Sequence, residues 1–374
     1  MLRVGFIGGG LDSAIGRAHF GAINIDRKYS LDAGVFSIDK KVNSESADFY
    51  GVDPTRVYDD ISTFIGGEKG RLDAAILLSP TPLHYEHITS LFDAGIPVIS
   101  EKALCTNSQD AQRLAERVQQ EKNFLSVTFT YTGYPMVREI RELVTKGLLG
   151  EVISIHVEMA QESFIRESAT GAKPTPQVWR QLDYEIPSVT LDLGSHVVNL
   201  LEFISGDQVA KVSALANHAG EVSDLIDNVS AIGEMGRGTP ISLLWNKVTL
   251  GKRNGLALSI NGSKGALSWI QEEPELLRFA EKDGALSIID RSHSMITLAS
   301  ESRYQRFKVG HPAGYIEAFA NLYLDIADDL ATHKAGKESE NPFTHSAANS
   351  AHGLRVLEAI HQSAVEKKWV EIRR

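Results

Sequence analysis

Cysteine is almost missing from this 374-residue chain: Cys105 stands alone. A lone thiol closes no intrachain disulfide and builds no cysteine-based zinc site. It fits a reducing compartment, so a cytoplasmic location is expected. Long apolar runs are missing too. No window approaches the run of about 18 uncharged residues that spans a bilayer, so no membrane partner is expected. The start, MLRVGFIGGG, lacks the basic region, apolar core and cleavage site of a secretion signal and runs straight into a strand and a glycine loop. Positive charge is in deficit, with 38 Lys and Arg against 48 Asp and Glu. A net charge of −10 argues against nucleic acid as a partner, though it leaves room for a small anion. The 12 histidines are scattered with no H-E-x-x-H or equivalent, so no metal is expected. Repeats and low-complexity tracts are also lacking. What remains is an ordinary globular mixture, 43% apolar and 23% charged, too long for a single core. Two domains are the expectation.

The first 130 residues alternate strand-length apolar runs (LRVGFIG, LDAGVFS, LDAAILLS, IPVISE, NFLSVTF) with helix-like stretches such as HYEHITSLFDAG and SQDAQRLAERVQQEK. In the second stretch Ala111, Leu114, Ala115 and Val118 fall at helical spacing, and Asn107 or Ser108 can cap its start. Such alternation implies a parallel sheet with helices on both faces. After about residue 150 the pattern changes. EVISIHVEM places Ile153, Ile155, Val157 and Met159 on one side of a half-buried strand. Strand-like runs follow near 208–218, 226–234, 240–250, 255–261 and 265–270, and read as an antiparallel sheet covered on one face. The tail returns to helices, and 167–177 reads as an exposed loop. The fold class is therefore α/β: an N-terminal doubly wound parallel sheet over 1–130 and a C-terminal α+β domain over 131–374. The second domain carries a large, mostly antiparallel sheet.

VGFIGGGLDSAIGRAH follows the first strand and opens a helix. Gly8, Gly10 and Gly16 stand where a dinucleotide loop needs glycine, to turn tightly and let a pyrophosphate approach a helix N-terminus. Ile15 lies inside the same loop. The spacing is G-x-G-x5-G, with a longer last gap than G-x-G-x-x-G. At the end of the second strand Ser37 takes the tip and Asp39 follows, where an acidic residue normally holds the ribose. Asp39 suits a free ribose. Ser37 with Lys40 and Lys41 suits a 2′-phosphate, unless those lysines only begin a solvated helix. NAD or NADP is expected, NAD slightly favoured.

SVTLDLGSHVVNLLEFISG is apolar but for a few positions, and Asp192 and His196 stand four residues apart within it. At that spacing both face one side of a helix. They are either a satisfied core pair or a catalytic pair.

Three further stretches decide between these. AILLSPTPLHYEHITSLFDAGIPVISEKALCTN resembles the core of the Gfo/Idh/MocA family of nicotinamide-dependent sugar and cyclitol oxidoreductases. LDLGSHVVNL resembles that family's D-x-G-x-H signature. GYPMVREIRELVTKGLLGEV and GHPAGYIEAFANLY are similar to its later segments, in the same order, so the resemblance covers nearly the whole chain. It implies that Lys102, Asp192 and His196 face the nicotinamide and the substrate carbinol. His196 would be the general base, Asp192 would orient it or the substrate, and Lys102 would stabilise negative charge on oxygen. It also implies a shelf of Ser79, Pro80 and His84 beside the cofactor, with Glu101 at the nicotinamide ribose. His84 would otherwise be a surface helix histidine. Tyr131, Trp179 and Arg180 are the implied substrate-pocket residues, though Trp179 can instead plug the domain seam. Arg166, Lys173 and Arg180 suit an anionic sugar. By resemblance the chain is a homodimer or homotetramer acting on a small carbohydrate.

Two departures stand out. Ala103 replaces the proline after the lysine, so the Lys102–Ala103 peptide is either trans, with Lys102 placed differently, or cis before a non-proline. EIPSVTLDLG also lacks the Gly-Gly expected before the aspartate. A redox-neutral glycosidase or lyase therefore stands as the alternative to a dehydrogenase. A non-enzymatic NAD(P) sensor is a third reading, opposed by the joint presence of lysine, aspartate and histidine.

Overall fold

A computed structural model describes residues 1–374 except 169, 173, 174, 223 and 374, so the candidate Lys173 lies outside the described residues. The chain begins with β1 (Leu2–Gly8), α1 (Ala14–Ile25), β2 (Tyr29–Val35), α2 (Lys40–Tyr50), α3 (Ile61–Glu68), β3 (Ala74–Leu78), α4 (His84–Asp93), β4 (Val98–Glu101), α5 (Ser108–Glu121) and β5 (Leu125–Thr128). It continues through α6 (Pro135–Thr145), β6 (Val152–Ala160), α7 (Ser195–Ser205), β7 (Val209–Asn217), β8 (Asn228–Met235) and β9 (Pro240–Asn246). β10 (Gly255–Gly262), β11 (Gly265–Ile270), β12 (Leu277–Glu281), β13 (Leu286–Ile289), α8 (Tyr315–Lys334), α9 (Ala347–Glu366) and β14 (Val370–Glu371) complete it.

Two compact units result. The first comprises Met1–Cys105, Gln109–Gly133 and Tyr315–Ala351. Its five strands are all parallel, in the order β2-β1-β3-β4-β5. β3 reads AAILL and is buried along its whole length, as expected of a central strand covered on both faces. Local signals fix the helices. Asp39 caps α2 by accepting from Lys41 N and Val42 N, and Asp60 with Thr63 forms a capping box on α3. The division expected at residue 130 is contiguous in sequence, whereas this unit takes α8 from the far end of the chain. Phe319, Leu322, Tyr323 and Ile326 of α8 lie in the same core cluster as Phe6, Ile76 and Ile99. Gly133 permits the approach, since a β-carbon there would fall 2.0 Å from the Ala318 carbonyl oxygen.

The second unit comprises Thr106–Ser108, Tyr134–Gly314 and His352–Arg374. Its nine-stranded sheet runs β13-β12-β11-β10-β6-β9-β8-β7-β14. Pairing is antiparallel except between β6 and β9, which run parallel. The expected strands appear, and β12, β13 and β14 extend the sheet beyond the sequence reading. On β6, Ile155, Val157 and Met159 point inward as the alternation demands, while Ile153, at the strand's start, is exposed.

Candidate active site

The strand order of the first unit reverses between β1 and β3, where Gly8 pairs with Leu78. Beyond the carboxyl ends of strands at such a reversal the two connections part and leave a crevice. Both connections carry candidate residues. Gly8 and Gly9 have φ of 84° and 75°, a region that L side chains avoid. A β-carbon on Gly16 would lie 1.9 Å from the Gly9 carbonyl oxygen, and one on Gly10 would meet the Phe36 oxygen at 3.0 Å. The loop is thus a close-packed backbone cradle with no room for side chains. Ser13 makes no side-chain cap on α1 and the helix has no acidic residue in its first turn. Backbone N–H groups and a positive helix end therefore face the loop, which fits a dinucleotide pyrophosphate. Ile15 packs half-buried against the unit's core.

At the tip of β2, Ser37 Oγ accepts from Asp39 N at 3.1 Å. Asp39 Oδ1 is engaged by the α2 amides at 2.8 and 3.0 Å. Lys40 lies 3.4 Å from Asp59 and Lys41 3.8 Å from Glu45. After β3, Ser79 Oγ is 3.1 Å from His87 Nδ1, and Pro80 is exposed. His84 is a buried brace, not a surface residue. Its Nε2 lies 2.8 Å from Ser79 O and its Nδ1 3.0 Å from Ala103 O. Burial pushes its pKa below the ordinary 6.5, while the two carbonyl oxygens act to raise it. It ties the turn after β3 to the peptide after Lys102, and the Lys102–Ala103 bond is cis.

Glu101 ends β4 and is buried. Its Oε1 accepts from Thr128 Oγ1 and lies 3.0 Å from His19 Nε2, while His19 Nδ1 lies 2.6 Å from Tyr323 Oη. Burial acts to raise the Glu101 pKa, but the His19 hydrogen bond, the charges of His19 and Lys102 and the Thr128 bond together hold it below the ordinary 4.5. Tyr131 is buried in the turn Thr130–Gly133, its ring 6.1 Å from that of Tyr315.

In the second unit, Thr190–Gly194 forms a π turn that runs directly into α7. Such turns are rare and recur at functional sites. Trp245 of β9 supports it from below, its indole donating to Thr190 Oγ1 at 3.1 Å. A β-carbon on Gly194 would come within 3.0 Å of Trp245 and Leu357, which explains the glycine of D-x-G-x-H. His196 is buried on the first turn of α7. Asp192 Oδ2 receives Lys247 Nζ and Arg180 Nη1, each at 2.6 Å. Arg180 lies over the Trp179 ring at 4.4 Å, and Lys247 over Phe164 at 5.1 Å. Asp192, Trp179 and Arg180 thus form one connected cluster, with His196 one turn along the same segment. Arg166 pairs with Glu162, 3.3 Å away.

Sequence reasoning missed Lys247 and His19. The signal for Lys247 was present. Ile241, Leu243 and Trp245 point inward, and Lys247 continues their parity just past the strand, an ammonium where an apolar residue is expected. His19 gave a weaker one, a histidine on the buried face of α1.

Residues 2–129 match the model of the oxidoreductase family with an NAD-binding Rossmann fold, and residues 137–268 match the GFO/IDH/MocA C-terminal domain. Among curated proteins, the uncharacterized oxidoreductase YfiI of Bacillus subtilis is 25% identical over 384 residues, covering 100% of this chain and 97% of its own length. Glucose-6-phosphate 3-dehydrogenase of the same organism is 22% identical over 299 residues, covering 78% of this chain and 79% of its own. Among solved structures, an inositol dehydrogenase homolog from Azotobacter vinelandii, complexed with NADH and myo-inositol, has a TM-score of 0.88 at 25% identity and covers 99% of this chain and 97% of its own. With both family domains matched in order, around a glycine cradle and a D-x-G-x-H turn, the chain belongs to the Gfo/Idh/MocA family of NAD(P)-dependent oxidoreductases.

Proposed function

We propose that this oxidoreductase oxidises one carbinol of a sugar, an inositol or a sugar derivative. The observation that carries the reading is the carboxylate of Asp192, fixed by two cations one turn before a buried histidine. The nicotinamide coenzyme supplies the hydride acceptor. His196 takes the hydroxyl proton, a task suited to an imidazole. Lys102 donates to the reacting oxygen and stabilises its developing charge. Asp192, held in one orientation, accepts from a neighbouring substrate hydroxyl. Trp179 and Tyr131 offer flat faces to a sugar ring. Gly8, Gly10, Ile15 and Gly16 hold the pyrophosphate, Glu101 the nicotinamide-side ribose, and Ser79, Pro80 and the His84 brace shape the shelf between them.

NAD is the proposed coenzyme. A 2′-phosphate needs cations, yet Lys40 and Lys41 each lie beside a carboxylate and Asp39 adds another at the β2 tip. A cytoplasmic location is proposed on the free thiol of Cys105. Among the described residues no helix is long and apolar enough to cross a membrane.

The test is reduction of NAD and NADP by the purified protein with polyols, inositols, sugar acids and aryl glycosides. A dehydrogenase gives net reduction, with higher kcat/KM for NAD. Glycoside cleavage that requires NAD and leaves it oxidised selects the redox-neutral reading, and absence of turnover on every class removes both. His196→Ala should lower kcat by roughly 10²–10⁴-fold, the usual contribution of a general base, with coenzyme affinity unchanged. Near-normal turnover would remove His196 as the base.

A further inference from the structure

We propose that His19, clamped between Tyr323 and Glu101, is a positioning residue that fixes one carboxylate oxygen of Glu101 and so presents the other to a ribose hydroxyl of the nicotinamide coenzyme. This rests on the reading of Glu101 as a coenzyme contact.

The geometry begins with burial. His19 is 0% exposed, on the inner face of α1 three residues after Gly16. A buried imidazole with unmet nitrogens is costly, and here both nitrogens are engaged. An ionised carboxylate only accepts, so Nε2 carries the proton toward Glu101 Oε1. Nδ1 lies 2.6 Å from the Tyr323 hydroxyl, which engages the second nitrogen. The Tyr323 phenol stays protonated, because burial raises its pKa well above the ordinary 10.0. Tyr323 is itself anchored: Tyr29 Oη donates to its backbone oxygen at 2.7 Å, and the two rings meet edge-on at 5.2 Å. Phe319 closes the cage, its ring 4.6 Å from the imidazole. The orientation of His19 is thus set by α8 and β2, and delivered to the end of β4.

At Glu101 the two side-chain donors, His19 and Thr128, both fall on Oε1. Oε2 accepts none from the described residues and keeps access to solvent. A carboxylate fixed at one oxygen presents the other as a directed acceptor, the geometry a ribose hydroxyl requires. The side-chain hydrogen bonds end at the hydroxyl of Tyr323, which is buried, so they hold Glu101 and carry no proton to solvent.

The experiment measures NADH dissociation constants by fluorescence titration, with melting of the coenzyme-free protein alongside. The variants are Glu101→Gln, His19→Leu, His19→Gln, Tyr323→Phe and the double variant Glu101→Gln/His19→Leu. A charge-assisted hydrogen bond sets the scale at about tenfold, so Glu101→Gln and His19→Leu each weaken NADH binding by about that factor. Tyr323→Phe keeps the ring and weakens binding by a smaller factor, about threefold. His19→Gln, which restores an N–H near the Nε2 position, recovers part of the loss. The double variant binds no more weakly than either single one, because both changes remove the same presented oxygen. Unchanged affinity in Glu101→Gln would remove the coenzyme contact itself. A weakened Glu101→Gln beside unchanged His19→Leu and Tyr323→Phe, or effects that multiply in the double variant, would remove only the positioning role. Should His19→Leu fail to fold, Tyr323→Phe and His19→Gln decide the question.

Discussion

Lys247 brings a full positive charge into a largely apolar setting, with its side chain 9% exposed and its head over the Phe164 ring. Such a group persists only beside an anion, and Asp192 is that anion. Removing one partner of a buried pair leaves the other's desolvation uncompensated, at about 3–5 kcal/mol when no second partner exists. Arg180 also holds Asp192 here, so Lys247→Met is expected to cost less, about 1–2 kcal/mol in urea unfolding. Its larger effect should be on kcat/KM, lowered about 10- to 100-fold as the Asp192 carboxylate loses its fixed orientation. Lys247→Arg should recover most of the stability and only part of the activity. Wild-type kinetics in Lys247→Met would show that Lys247 serves folding alone. At this scale the sequence was informative about Asp192 and His196, because polar residues inside an apolar stretch are visible in one dimension. It was silent on the partners of Asp192, which come from segments 12 residues earlier and 55 residues later.

The π turn at Thr190–Gly194 is an element-scale feature. Spacing alone suggested a regular helix through Asp192 and His196; instead Asp192 lies within the π turn and His196 in the first turn of α7. What the turn adds is dependence on Trp245. Gly194→Ala would push a methyl to within 3.0 Å of the Trp245 and Leu357 side chains. Overpacking of this kind costs about 1–3 kcal/mol. The expected result is reduced stability and reduced turnover with unchanged NADH affinity, since the glycine cradle lies in the other unit. Unchanged stability would mean that the turn is looser than its packing indicates. Helix and strand placement was largely legible because alternation and helical spacing are local, as the buried Ala111 and Leu114 of α5 show. β13 and β14 were missed because short edge strands carry little alternation, and β12 because it is only five residues long. The parallel β6–β9 pairing was missed because it is made by residues about 86 positions apart.

At the scale of the whole molecule the nine-stranded sheet presents one face that is less buried than the other. The less buried face carries small residues such as Ala257, Ser259 and Ser268, with exposed Leu215 and Ile232. We propose that a second copy of the chain covers it, giving a homodimer or homotetramer. Ile232→Glu should then shift the protein toward monomer in light scattering, because a carboxylate facing an apolar partner stays unpaired. A wild-type monomer at micromolar concentration would end this proposal. The sequence by itself determined the parallel sheet, the glycine cradle, the antiparallel second sheet and the family, because each is written in local periodicity or in contiguous motifs. Only the tertiary structure decided that α8 completes the first core, that His84 is an internal brace, and that Lys247 and Arg180 converge on Asp192. Those outcomes depend on which distant segments share a volume, and pairing across long stretches of chain leaves no repeating trace in the order of residues.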